Sequence, residues 1–71
     1  MTTFIKDTKK NRLINISEAS HIEIESDYVI RIHYIDKNHS FVIKYENKYD
    51  TLGAYNQICT GIIRGNHLIC V

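Results

Sequence analysis

The side chains of this 71-residue chain that could do chemistry are four histidines, two cysteines and a closely spaced pair of glutamates. A metal site on strands needs donors at i and i+2, or donors converging from neighbouring strands. His21, His33, His39 and His67 include no pair at i, i+2 or i, i+4. His67 and Cys70 could supply two ligands to Zn²⁺, fewer than a site requires. His33 and His39 flank a turn and could approach each other across it. The four therefore read as surface and turn histidines, and neither a metal nor another cofactor is expected.

A cysteine nucleophile needs a nearby base and an electropositive setting. Cys59 falls on the apolar side of a predicted helix, so an inert buried thiol is the expectation. Cys70 reads as exposed or as approaching Cys59; a disulfide between them would need an oxidising compartment. Two cysteines are too few for a disulfide framework, and they lack the CxxC spacing of redox or zinc motifs. Glu23 and Glu25 share one strand face about 7 Å apart, and the alternation around them marks that face as solvated. There is no Gly-rich phosphate loop, GxSxG or HExxH. The chain reads as no enzyme.

The elements that would position these groups form a single domain over 1–71. Thr2 to Asp7 and "RLINI" at 12–16 read as short strands, joined by the turn-like "TKKN". "SEAS" follows as a polar break in which Ser17 can bond the local backbone. "HIEIES" at 21–26, "YVIRIHYI" at 28–35 and "SFVIKY" at 40–45 alternate with period two, the mark of half-buried strands. Ser26-Asp27 and "DKNH" are the turns between them, with Asn38 suited to a left-handed position. At Tyr49 the period changes to that of an amphipathic helix capped by Asp50 or Thr51. Leu52, Tyr55, Ile58, Cys59, Ile62 and Ile63 form its apolar side. Gly53 and Gly61 each weaken it by roughly 1 kcal/mol relative to Ala. Gly65 or Asn66 suits the C-terminal cap, and Arg64 complements the helix dipole there. "HLICV" reads as a last strand. The fold class is α+β: an antiparallel β-meander of four to five strands, one C-terminal amphipathic helix packed on one face, and a short final strand.

Ile22, Ile24, Ile30, Ile32, Phe41 and Ile43 share the face that the helix must cover. The opposite face carries Val29, Arg31, His33, Ile35, Val42 and Lys44. Apolar side chains among those basic ones point to an interaction face for a protein partner or a second copy of the chain. So small a core is marginal, and self-association is one way to support it.

A net charge of +1 gives no long-range field to gather nucleic acid or anionic membrane. The basic cluster Lys6, Lys9, Lys10 and Arg12 is the candidate nucleic-acid site. Tyr28 and Tyr34 alternate with the basic strand residues and so are expected on the buried side, not exposed for base stacking. The N-terminal stretch has no apolar signal region, and no run approaches the roughly 20 residues of a membrane helix. A cytoplasmic location without membrane contact is expected. Abundant Ile, Asn, Lys and Tyr with no Pro or Trp fit a bacterium, phage or large virus with AT-rich coding.

"LIN" at 13–15, "HIEIE" at 21–25, "YVIRI" at 28–32 and "FVIK" at 41–44 resemble the pattern of FlbD, a family of small flagellar-operon proteins. "KYDTLGAYNQICTGIIRGNHLICV" looks like the ending of many small bacterial and phage proteins, in which a helix leads through a glycine to a final strand. The helix is longer than in the FlbD pattern, a last strand is added, and Asn38-His39 stands where a glycine turn is usual. The resemblance implies a fold and carries no catalytic or binding residue with it.

The sequence thus points to a non-enzymatic protein-interaction module of a bacterium or phage, self-associating as a homodimer or higher oligomer, and acting as an inhibitor or regulator of a host protein. Two alternatives stand beside it. One is a nucleic-acid binder using the basic N-terminal segment. The other is a small-molecule or nucleotide binder at an oligomer interface, using Tyr49, Tyr55 and Arg64.

Overall fold

β-branched residues at period two form strands because their stiff side chains pack well on a pleated surface. The computed structural model describes residues 2–36 and 38–71; Lys37, which the sequence assigns to the "DKNH" turn, lies outside them. The strands are β1 (Phe4–Asp7), β2 (Arg12–Asn15), β3 (Ala19–Ser26), β4 (Val29–Tyr34) and β5 (Ser40–Lys44). Helix α1 (Lys48–Ile63) and strand β6 (Leu68–Cys70) complete the chain. The protein is α+β; among the described residues there is one helix, near the C-terminal end, and a short final strand.

The strands divide into two three-stranded sheets. In the first, β1 lies between β2, to which it is antiparallel, and β6, to which it is parallel. The second is the antiparallel meander β3-β4-β5. The meander breaks after β2 because the polar "SEAS" segment consumes its own hydrogen bonds. Ser17 N–H donates to Asn15 Oδ1, and Ala19 N–H donates to the Ile16 carbonyl. Ser17 Oγ accepts from Thr3 N–H. Two bonds then tie the sheets at this corner: Ile35 N–H to the Glu18 carbonyl, and the Tyr34 hydroxyl to the Asn15 carbonyl at 2.7 Å.

The core lies between the inner faces of the two sheets and the helix. It holds Ile5, Ile14 and Ile16 from the first sheet and its flank, Ile30, Ile32 and Ile43 from the second, Ala54 and Ile58 from α1, and Ile69 from β6. Each fully buried isoleucine contributes about 1.5–3 kcal/mol of hydrophobic stabilisation. Asp7 is buried among them and receives Arg12 Nε at 3.0 Å.

The β3–β4 turn is Asp27-Tyr28, one residue later than Ser26-Asp27. Tyr28 therefore leaves the strand face and is exposed. An irregularity between Ile24 and Ser26 shifts the register. That shift sets Ile24 opposite Ile30 and Ile22 opposite Ile32, so the apolar faces match.

Helix α1 begins earlier than expected. Asn47 is its N-cap, with Oδ1 accepting from Asp50 N–H at 2.9 Å. Its C-terminus is a Schellman motif on Gly65, which has φ 71°. Asn66 N–H donates to the Gly61 carbonyl and Gly65 N–H to that of Ile62. The face turned to the core is Thr51, Ala54, Ile58 and Gly61. Of the residues that the helical wheel puts on the apolar side, Ile63 points to solvent and Leu52 and Ile62 are about half exposed.

Candidate functional site

The outer face of the second sheet is built by register. β3 and β4 set His21 opposite His33 and Glu23 opposite Arg31. β4 and β5 set Arg31 opposite Val42, His33 opposite Ser40, and Val29 opposite Lys44. Five of the six expected interface residues, Val29, Arg31, His33, Val42 and Lys44, thus share one face. Ile35 lies past the end of β4 and is 69% exposed.

The polar groups of this face hold each other. Arg31 binds Glu25 through Nε at 2.8 Å and Nη2 at 3.2 Å, a two-point ion pair, and donates from Nη1 to Ser40 Oγ. The Arg31 hydrogen bond pulls the Glu25 carboxyl below its usual range, and the same bond raises the guanidinium further. His33 Nε2 lies 2.7 Å from Glu23 Oε1. The His21 and His33 rings stack, with centroids 4.0 Å apart and planes 14° from parallel. One donor atom each from His21, Glu23 and His33 fall within 4.8 Å of one another. Among the described residues this is the only such trio of metal-ligating side chains.

Spacing along a single strand did not reveal this trio. A regular hairpin on the Asp27-Tyr28 turn would set His21 opposite Tyr34, and the register shift between Ile24 and Ser26 is what brings it opposite His33. His39 instead faces Asp36 across its own turn, Nδ1 to Oδ2 at 2.8 Å. The Asn38 backbone N–H and His39 hold the Asp36 carboxyl below its usual range. Among the described residues no third ligand joins His67 and Cys70. Both cysteines are free thiols. Cys59 is half-buried, and its contact with the Tyr55 hydroxyl raises that phenol.

The basic N-terminal cluster splits. Lys6, Lys9 and Lys10 are exposed, and Lys9 lies 3.6 Å from Asp50. Arg12 turns inward to Asp7 and sits 4.6 Å over the ring of Phe41. Of the three residues expected at a nucleotide site, Tyr49 and Arg64 are exposed, while the Tyr55 hydroxyl donates to the Ile22 carbonyl at 3.4 Å.

A groove of about 530 Å³ runs between the second half of α1 and the corner where β2 gives way to β3. Ile16, Ala19, Ile22, Ile58, Cys59 and Ile62 line its apolar part. Ile63, 84% exposed, stands at its rim, and Leu52 is exposed further along the helix. No described helix is long and apolar enough to cross a membrane.

No protein-family model matches the chain, and no curated protein or solved structure matches it.

Proposed function

We propose that this chain is a non-enzymatic interaction module that binds protein, foremost a second copy of itself. The observation that supports this is the orientation of α1. Its small residues face the core, while Leu52, Ile62 and Ile63 face outward beside an apolar groove. Apolar side chains grouped on one side of a helix, next to a concave apolar surface, suit a helix-in-groove contact. A two-fold pair of such surfaces is self-complementary. The outer face of β3-β4-β5, with Val29, Val42 and Ile35 among its polar groups, is the other surface such a module would use.

In this reading the protein works in the cytoplasm of a bacterium or phage-infected cell, as an inhibitor or regulator of a host protein. Two free thiols suit a reducing compartment. Nucleic-acid binding has less support, because Arg12 is committed to Asp7 and only three lysines of the cluster are exposed.

The test is mass in solution by light scattering over a tenfold range of concentration. A dimer that dissociates on dilution is expected. A monomer throughout would end the self-association reading.

A further inference from the structure

We propose that His21, Glu23 and His33 form a binding site for a single Zn²⁺ ion on the outer face of the second sheet. The donor set is two imidazoles and a carboxylate, the set that holds zinc with one position left open. The three come from adjacent positions on paired strands: His21 and Glu23 two apart on β3, and His33 directly across from His21 on β4. In tetrahedral zinc, with bonds near 2.0–2.1 Å, donor atoms stand roughly 3.3 Å apart. The three donor atoms lie within 4.8 Å of one another on paired strands, and zinc binding would require the stacked His21 and His33 rings to rotate apart so that both lone pairs meet at one point.

Hydrogen bonds around the trio prepare it. Ser20 Oγ donates to the His33 carbonyl at 3.2 Å, which uses its only proton. Its oxygen, 3.3 Å from His21 Nδ1, is then left to accept. With the Ser20 proton on the His33 carbonyl, the His21 tautomer that suits this contact carries its proton on Nδ1 and offers Nε2 to a metal, the way an outer partner orients a ligating histidine. Glu23 Oε1 already lies 2.7 Å from His33 Nε2, so zinc would replace the shared proton between two groups that are positioned together. Neighbouring side chains leave the trio intact: Arg31 is held by Glu25 and Ser40, and does not compete for Glu23. An open groove of about 640 Å³ lies beside the two histidines, bounded by Ser20, His21, Arg31, His33, Tyr34 and His39.

The experiment is a zinc titration of the whole chain at neutral pH by competition with a chromogenic chelator, followed by Co²⁺ substitution and visible spectroscopy. One equivalent of zinc per chain is expected, with Co²⁺ giving the intense bands of a four-coordinate site. His21→Ala, Glu23→Gln and His33→Ala should each weaken zinc binding by roughly 100-fold or more, since loss of even an outer-shell partner costs 10–100-fold. His39→Ala and His67→Ala should leave it unchanged. His21 and Glu23 are exposed, so their variants keep the fold, and circular dichroism verifies this. The proposal is overturned if the unaltered chain takes up no stoichiometric zinc. It is equally overturned if binding survives in the folded His21→Ala and Glu23→Gln variants, or is lost on removing His39 or His67.

Discussion

Gly61 packs so close to Ile69 that a Cβ built on it would lie 2.5 Å from Ile69 Cγ1 and 2.8 Å from Cδ1. Ile69 is itself buried under the helix, so it has little room to yield. The absent side chain at Gly61 is what lets α1 lie down on β6. Gly53, in the first half of the same helix, meets nothing within 4 Å. The same substitution at the two glycines should therefore have opposite effects. Gly53→Ala should stabilise by about 0.5–1 kcal/mol through helix propensity alone. Gly61→Ala gains the same propensity but incurs overpacking of about 1–3 kcal/mol, so a net loss on the order of 1 kcal/mol is expected. Urea denaturation of the two variants checks the signs.

Tyr45 has a hydroxyl that is buried and has no protein hydrogen-bond partner among the described residues. Burial, helped by the nearby Asp7 carboxylate, pushes its phenol up to about 12. In the unfolded chain the phenol ionises near pH 10. The folded state thus keeps a proton that the unfolded state gives up. The stability linked to this group is fully present below about pH 10 and is lost as the pH rises toward 12. Tyr45→Phe should be neutral or stabilising at pH 7, because it removes an unpaired buried oxygen. It should also flatten the fall in thermal midpoint between pH 10 and 12. A variant curve parallel to the parent's over that window would count against the assignment.

Arg12 tests whether the N-terminal cations serve the fold or a ligand. Its Nε lies 3.0 Å from a nearly inaccessible Asp7 carboxylate, and its guanidinium stacks on Phe41. Removing it strands a buried negative charge. Loss of one partner of a fully buried pair costs about 3–5 kcal/mol. Arg12 is partly open to water, so about 1–3 kcal/mol is the expectation for Arg12→Ala after allowing for screening. At roughly 4–8 °C per kcal/mol for a domain of this size, a large drop in Tm follows. Lys10→Ala, on the exposed turn, should change Tm little. Equal effects of the two changes would mean that the Asp7–Arg12 pair contributes little to the stability of the fold.

The strands were legible because period-two alternation of isoleucine is a direct record of which face is buried. Ile30, Ile32 and Ile43 are buried as their positions require. The helix face was only partly legible from side-chain size. The helical wheel selects Ile58, which is buried, and Tyr55, which packs on the core, but also Leu52, Ile62 and Ile63, whereas the close approach to β6 brings in the small Thr51, Ala54 and Gly61. The histidine site was hidden for a different reason. A two-residue turn at Ser26-Asp27 with regular pairing would place His21 opposite Ile32. Only the later turn and the irregularity near Glu25 bring it opposite His33. A single extra residue in one strand thus decides whether two imidazoles meet.

The two candidate interaction surfaces can be separated by a pair of charges. Ile63 stands at the rim of the helix groove, and Ile35 lies beyond β4 at the end of the sheet's outer face; both are highly exposed, at 84% and 69%. Neither is part of the core, so a lysine at either site should shift monomer stability by no more than about 0.5 kcal/mol. Its effect should appear in assembly. If copies join through the helix and its groove, Ile63→Lys places like charges against each other across a two-fold contact and desolvates both. Its dissociation constant should rise at least about tenfold, equivalent to roughly 1.4 kcal/mol, while Ile35→Lys assembles as the parent does. If the sheet face is the contact, the two variants exchange roles. Sedimentation equilibrium on both, at matched concentration and salt, decides between the surfaces. Unchanged association in both variants would remove each of them from the interface.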